Sequence, residues 1–171
     1  DHITAKHGSK VKFLNFREAR ERLTNNFLGG QALRAANGQD NGVRLLDLNN
    51  DGFMDAVIGN EQLRQTRVWD PQANRWKTSA FPVPLVQIAN SGTRTDAGAR
   101  FGVLQSSGNA SLFINNGSDN GIWHFDGEKW AEDRAMLRGL GQALKTVDTT
   151  RDNGVRLRDT DNDGICEIIV G

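Results

Sequence analysis

The sequence predicts an all-β fold: β-propeller blades of four antiparallel strands with a 56-residue repeat, and half-blades at both termini. Three observations carry this. Asp40 to Asn60 (DNGVRLLDLNNDGFMDAVIGN) and Asp152 to Gly171 (DNGVRLRDTDNDGICEIIVG) nearly repeat each other. A degraded copy, Asp96 to Asn116 (DAGARFGVLQSSGNASLFINN), lies between them, so the three copies begin 56 residues apart. A fixed period of this size marks a repeat architecture. Within each period, short alternating apolar runs are separated by Gly, Asn, Asp and Ser clusters, the pattern of short antiparallel strands.

The elements follow in order. His2 to Lys6 (HITAK), the turn His7-Gly8-Ser9 and Val11 to Phe16 (VKFLNF) read as the third and fourth strands of a half-blade over residues 1–17. Arg17 to Leu33 leans helical and is expected to be a connection carrying at most a short helix. A full blade over 40–78 takes strands at Val43 to Leu48, Asp55 to Gly59, Arg67 to Trp69 and Arg75 to Thr78, the last two joined by the turn DPQAN. The blade over 96–132 takes Ala99 to Leu104, Ser111 to Ile114, Ile122 to Phe125 and Glu128 to Trp130, with Asp126-Gly127 as a two-residue hairpin signal. Ala131 to Leu144 is a second helix-leaning connection, and 152–171 supplies the first two strands of a final half-blade. Propellers close with about four to eight blades. About three blades therefore imply part of a longer chain, or an assembly in which half-blades pair between protomers.

Composition narrows the function classes. The chain has 171 residues, with 21 basic and 21 acidic side chains and a pI near 7.0, so no bulk charge favours nucleic acid. No apolar stretch is long enough for a membrane span. The chain opens with Asp rather than Met and shows no signal peptide, as expected of a processed product or an excised piece. Its one cysteine, Cys166, lies in the apolar run ICEIIV and reads as a buried, inert thiol. There is no CxxCH for haem attachment, and no GxGxxG or GxxxxGK[ST] for phosphate. His2, His7 and His124 are not grouped at ligand spacing, and no Ser-His-Asp ordering can be argued from them. No catalytic activity is expected in this segment.

The chemistry sits in the repeated acidic loops. Asp47, Asn49, Asp51 and Asp55 occupy positions 1, 3, 5 and 9 of the first loop, with Gly52 at position 6. Asp159, Asp161, Asp163 and Glu167 take the same places in the third, with Gly164 at 6. Oxygen ligands at alternate residues can wrap a hard cation, the glycine permits the bend, and the position-7 carbonyl (Phe53, Ile165) completes the shell. Such a set suits calcium, and the lack of His or Cys ligands disfavours zinc and copper. An EF-hand would carry Glu at position 12, where these loops have Ile58 and Val170 inside strands. The middle loop has Val103, Gln105, Ser107, Asn109 and Ser111 at those places and keeps only Gly108, so no ion is expected there. Two structural calcium sites are therefore expected, each ion removing the repulsion among its carboxylates.

Two further sets recur. Arg44, Arg100 and Arg156 each follow Asp40, Asp96 or Asp152 by four residues; they either pair with an Asp of their own or the adjacent blade or form an anion-binding ring. Trp69, Trp76, Trp123 and Trp130 fall at matching places in the two blades, as expected for blade-to-blade packing, with sugar stacking as the alternative.

DLNNDGFMDAVIGN, DTDNDGICEIIVG and GVLQSSGNASLFINNG resemble the FG-GAP/VCBS family of calcium-binding repeats found in integrin-like propellers and bacterial surface proteins. The D-x-G-x-R pattern and IWHFDGEKW also look like propeller segments of large bacterial dehydrogenase-like, haem-associated proteins. The resemblance implies a propeller, calcium as ligand, and a periplasmic, secreted or cell-surface setting. It makes the chain an interaction or scaffolding module whose partners are other blades or domains, another copy, or a protein or glycan ligand. Two alternatives stand beside it. One is part of a propeller enzyme (a quinone- or haem-linked dehydrogenase or a polysaccharide lyase). The other is a lectin-like carbohydrate binder.

Overall fold

The computed structural model describes residues 2–8, 11–140, 144–149 and 151–171. The chain forms two compact units, residues 1–32 and 33–171.

The N-terminal unit corrects the expected half-blade. His2–His7 is a short helix (α1) where HITAK was expected as a strand, and residues 11–15 form no regular element. A five-residue alternation is too short to separate strand from helix. Phe16–Glu21 is a second helix (α2), closed by a capping box: the Asn15 side chain accepts the Glu18 N–H at 3.0 Å, and Glu18 accepts the Asn15 N–H at 2.9 Å. That cap, followed by the helix-favouring run FREARE, turns Phe16, the last residue of the expected strand VKFLNF, into the first of a helix. The chain continues as a π-helical turn over Arg22–Phe27, and Leu28 is fully buried. Asp1, Ser9 and Lys10 of the expected half-blade lie outside the described residues.

The larger unit is predominantly β, in antiparallel sheets. The first sheet runs β1 (Val43–Leu46), β2 (Asp55–Gly59), β3 (Arg64–Asp70) and β4 (Arg75–Ala80), neighbours in sequence pairing in space. A short hairpin, β5 (Val86–Ile88) with β6 (Arg94–Asp96), leads to the second sheet. That sheet runs β7 (Arg100–Gly102), β8 (Ser111–Asn115), β9 (Asn120–Phe125) and β10 (Trp130–Glu132). Helix α3 (Arg134–Leu140) and a hairpin of β11 (Val147–Asp148) with β12 (Arg151–Asp152) come next. The last hairpin pairs β13 (Arg156–Arg158) with β14 (Glu167–Ile169). No element is expected from sequence over residues 79–95 or 145–151, where most of the β5–β6 and β11–β12 hairpins lie. Gly141, Gln142 and Ala143, in the second helix-leaning connection, lie outside the described residues.

Register repeats as well as order. Trp69 pairs with Trp76 across β3–β4, and Phe125 pairs with Trp130 across β9–β10. The turns between them are built alike. The Asp70 carboxylate accepts N–H bonds from Gln72 and Ala73, and Asp126 accepts from Glu128 and Lys129. Both are local Asp-initiated turns.

The sheets stack face to face. Leu48, Val57, Val68 and Phe81 meet Leu112, Ile114 and Phe125 in one core cluster, with Trp123 and Trp130 against it. β8 is buried on both faces, and its period of two sends Phe113 the other way. Phe113 and Ile122 pack with Val155 and Leu157 of the third repeat, beside Met136 and Leu137 of α3. Backbone bonds join successive repeats. Ala110 donates to the Leu48 carbonyl at 2.8 Å, and Cys166 donates to the Val103 carbonyl at 2.6 Å.

Candidate metal centre

Each acidic loop is folded by its own carboxylates. In the first, Asp47 accepts N–H bonds from Asp51 (3.1 Å) and Gly52 (2.8 Å), and Asp51 accepts from Phe53 (2.8 Å). In the third, Asp159 accepts from Gly164 (2.9 Å), Asp161 from Asp163 (3.2 Å) and Asp163 from Ile165 (2.7 Å). Both loops pass through positive φ at positions 4 and 6: Asn50 (57°) with Gly52 (82°), and Asn162 (63°) with Gly164 (89°). Asparagine tolerates this region better than most residues. The sequence reading singled out the glycines and overlooked these asparagines.

Position 9 closes every loop in the same way. Asp55 accepts the Leu48 N–H at 3.0 Å, Glu167 accepts the Thr160 N–H at 2.8 Å, and Ser111 accepts the Leu104 N–H at 3.2 Å. A side-chain acceptor at position 9 therefore clasps the amide of position 2 in all three repeats. Asp55 adds a bond from the Trp69 N–H at 2.9 Å, and Glu167 adds one from the Thr160 hydroxyl at 2.6 Å.

The two loops differ in how their oxygens converge. Oxygens of Asp159, Asp161 and Glu167 all lie within 4.8 Å of one another, and all three residues are exposed. Among the described residues this is the one such carboxylate group, and Asp163 stands outside it. Its three oxygens could hold a divalent cation. In the first loop, Asp47, Asp51 and Asp55 do not gather in this way. Asp55 turns inward, with no exposure, and its two oxygens serve the Leu48 and Trp69 amides. Burial pushes the Asp55 carboxyl up to about 6, and the charges of Asp51 and Asp47 add to the push, against the pull of the two N–H bonds. Asn49 donates to Asp51 at 2.9 Å, which leaves its own Oδ1 buried without a hydrogen-bond partner. A buried, unmatched oxygen at position 3 is what a hard cation would use. Both donor sets are all-oxygen, as a hard cation requires; the third loop gathers three carboxylates that could hold one, and the first offers the orphaned Asn49 oxygen. Phe53 and Ile165 stand at position 7, their N–H groups taken by the position-5 carboxylates.

The recurrent arginines pair with aspartates of their own or the adjacent repeat. Asp40 receives both guanidinium arms of Arg44 (3.0 and 2.8 Å), and Asp152 receives both arms of Arg156 (3.0 and 2.8 Å). In each repeat the same aspartate also accepts the N–H of the motif glycine: Gly42, Gly98 or Gly154. Arg100 reaches further. It contacts Asp96 at 3.3 Å and Asp152 of the next repeat at 3.2 Å, and donates to the Val155 carbonyl at 3.1 Å. Bonds from Arg156 and Gly154, with the charge of Arg100, hold the Asp152 carboxyl well below the usual range.

Trp130 is a packing residue. Its ring lies 5.7 Å from Phe81, 6.4 Å from Phe101 and 5.4 Å from Phe125, and its Nε1 donates to Thr66 of the first sheet at 2.8 Å. Trp69 and Trp76 are 5.1 Å apart, with Arg67 over Trp76 at 5.3 Å.

One cluster escaped the sequence reading altogether. Ser111 Oγ lies 2.8 Å from His124 Nδ1, and His124 Nε2 lies 3.3 Å from Asp133. The arrangement has the order of a hydrolytic triad, but Ser111 is fully buried and its oxygen is engaged by the Leu104 amide. It cannot meet a substrate as placed. The available signal was Ser111 itself, a hydroxyl where the sibling loops carry carboxylates.

No described helix is long and apolar enough to cross a membrane. Compared with protein-family models, curated proteins and solved structures, the chain matches none of them.

Proposed function

We propose that this chain is a calcium-stabilised β-propeller segment of the FG-GAP/VCBS kind, serving as an interaction or scaffolding module of a secreted, periplasmic or surface protein. One observation carries the reading. Three loops share one clasp and one Asp–Gly–Arg module, on antiparallel sheets that stack face to face, and the two acidic copies supply oxygen donors for a hard cation. Stacked four-stranded sheets with sequential strand order are what propeller blades are made of.

Asp159, Asp161, Asp163, Glu167 and the Ile165 carbonyl would hold one ion; Asp47, Asn49, Asp51, Asp55 and the Phe53 carbonyl would hold the other. When bound, calcium offsets the repulsion of the crowded carboxylates and fixes the turn. The protein residues do the rest. The position-9 clasp sets the loop's width, Gly52 and Gly164 allow the bend, and the Asp–Arg pairs anchor each repeat's first strand.

The scaffold reading gains support from the tryptophans, since Trp130 is held by three aromatic rings and a hydrogen bond rather than offered to a glycan. It gains more from the last hairpin. β14 pairs only with β13 among the described residues, although its counterparts β2 and β8 each pair on both sides. Ile169 and Val170 are exposed there. Two further strands, from other repeats or another copy, would complete a sheet like the first two.

The test is thermal unfolding in excess calcium and in excess chelator. Ligand at a hundredfold excess over its dissociation constant adds about 2.7 kcal/mol per site, so the midpoint should fall by several degrees under chelator. An unchanged midpoint rejects the calcium reading.

A further inference from the structure

The middle loop keeps the clasp but has no carboxylate in its ligand positions, which leaves the question of what holds it. Ser111 and His124 face each other directly across β8 and β9. Ser111 Oγ accepts the Leu104 N–H, so its own hydrogen is free for the nearest acceptor, His124 Nδ1, at 2.8 Å. Nε2 then carries the ring proton and donates to Asp133 at 3.3 Å. Only this neutral tautomer satisfies every group in the chain. Asp133 is itself fixed. Its carboxylate accepts the Ala135 and Met136 amides at 3.0 and 2.9 Å, and its N–H donates to the Ile122 carbonyl at 2.8 Å. The relay thus runs from the loop amide, through a buried hydroxyl and a buried imidazole, to the start of α3.

The first repeat shows what this replaces. There a buried carboxylate, Asp55, takes the position-2 amide, and the residue 56 positions before His124 is Val68, which cannot hydrogen-bond through its side chain. In the middle repeat the acceptor at position 9 is neutral, and the negative charge stands on Asp133, whose side chain keeps 27% of its exposure. A neutral buried acceptor needs no counterion, whereas a buried carboxylate does.

We propose that Ser111, His124 and Asp133 form an ion-independent lock that holds the middle loop shut where the sibling loops use a carboxylate. The lock stands apart from the calcium reading, because none of its three residues is among the proposed calcium ligands.

The experiment uses the whole chain, labelled with ¹⁵N, at pH 8 in chelator. Long-range proton–nitrogen correlation reads the His124 ring. The lock expects Nε2 protonated and Nδ1 bare, and the opposite tautomer overturns it. Amide exchange reads the clasp. Leu104 should stay protected in chelator and exchange about tenfold faster in His124→Ala, with a smaller acceleration in His124→Asn, whose Oδ1 can still accept from Ser111. Loss of Leu104 protection in chelator, or equal protection in wild type and His124→Ala, overturns the proposal. Where His124→Ala fails to fold, Asp133→Asn and the wild-type tautomer decide the matter. Calcium added to wild type separates the two readings. If the Leu48 and Thr160 amides gain no protection, the calcium reading fails while the Leu104 and His124 results still judge the lock.

Discussion

Asp55 yields the sharpest test of the loop electrostatics. It is fully buried, and its carboxyl is pushed from 3.8 up to about 6, chiefly by burial. A rise of roughly two units corresponds to about 3 kcal/mol. The folded protein holds this proton more tightly than the unfolded chain does. The associated stability is therefore fully present below 3.8 and is lost as pH rises through about 6. Between pH 5 and pH 7.5 the loss is about 1.4 kcal/mol, which lowers the unfolding midpoint by roughly 3–6 °C for a chain of this size. The assay is thermal unfolding in chelator at both pH values, for wild type and for Asp55→Asn. The two proteins differ at position 55 alone, so the difference between their pH slopes isolates Asp55. In excess calcium the carboxylate is held ionised, and the difference should vanish. Equal pH slopes for the two proteins in chelator, or a wild type that gains on the variant as pH rises, would refute the argument that burial opposes this charge.

Other outcomes follow from the same geometry. Asp51→Ala and Asp163→Ala should each abolish one calcium and lower the midpoint in calcium, while Ser107→Ala does neither; equilibrium dialysis and calorimetry read both. Arg100→Ala should cost about 1.5–3 kcal/mol in urea unfolding and more than Arg44→Ala, because Arg100 alone ties Asp96 to the next repeat's Asp152 and Val155. Gly42→Ala should cost more than the roughly 1 kcal/mol of a strained φ, since at φ 65° its new Cβ would run into the Gly59 carbonyl; urea unfolding beside Gly52→Ala, which has open space, is the check. Trp130→Phe should cost about 1 kcal/mol through the lost bond to Thr66, measured in a double-mutant cycle with Thr66→Val.

The strands of the two sheets were legible because their alternation is flanked by local turn chemistry. The Asp126-Gly127 turn was located but not its length: Asp126 captures the Glu128 and Lys129 amides, so the loop spans four residues rather than two and β10 begins at Trp130 rather than Glu128. The Asp–Arg pairs were legible as partners four residues apart. The N-terminal strands misread for two reasons. The alternation of HITAK is too short to separate strand from helix, and Asn15 and Glu18 satisfy each other's backbone so that a helix starts at Phe16, where VKFLNF was expected to end a strand. The site was half legible. Spacing located both acidic loops, but not that Asp55 turns into the core while Glu167 stays outside with Asp159 and Asp161. That difference depends on burial, which spacing does not encode. The lock was illegible because Ser111, His124 and Asp133 meet only through strand register and the start of α3.

The clasp at position 9 stands whether or not the proposed ion binds. All three repeats place an acceptor at position 9 against the amide at position 2, at 3.0, 3.2 and 2.8 Å, using a carboxylate, a hydroxyl and a longer carboxylate. The backbone demand is constant: the amide two residues past each repeat's first strand is paired by the side chain at position 9. How each repeat meets it decides what else the loop requires. A buried carboxylate brings a charge that desolvation resists, and alternating oxygens on the same loop can supply a cation to offset it. A hydroxyl brings no charge but leaves a hydrogen to place, and a histidine across the strand receives it. On the calcium proposal, the buried Asp55 makes its loop call for an ion in a way the exposed Glu167 does not, and the middle repeat meets the same amide with a hydroxyl backed by an imidazole where the first sheet has Val68.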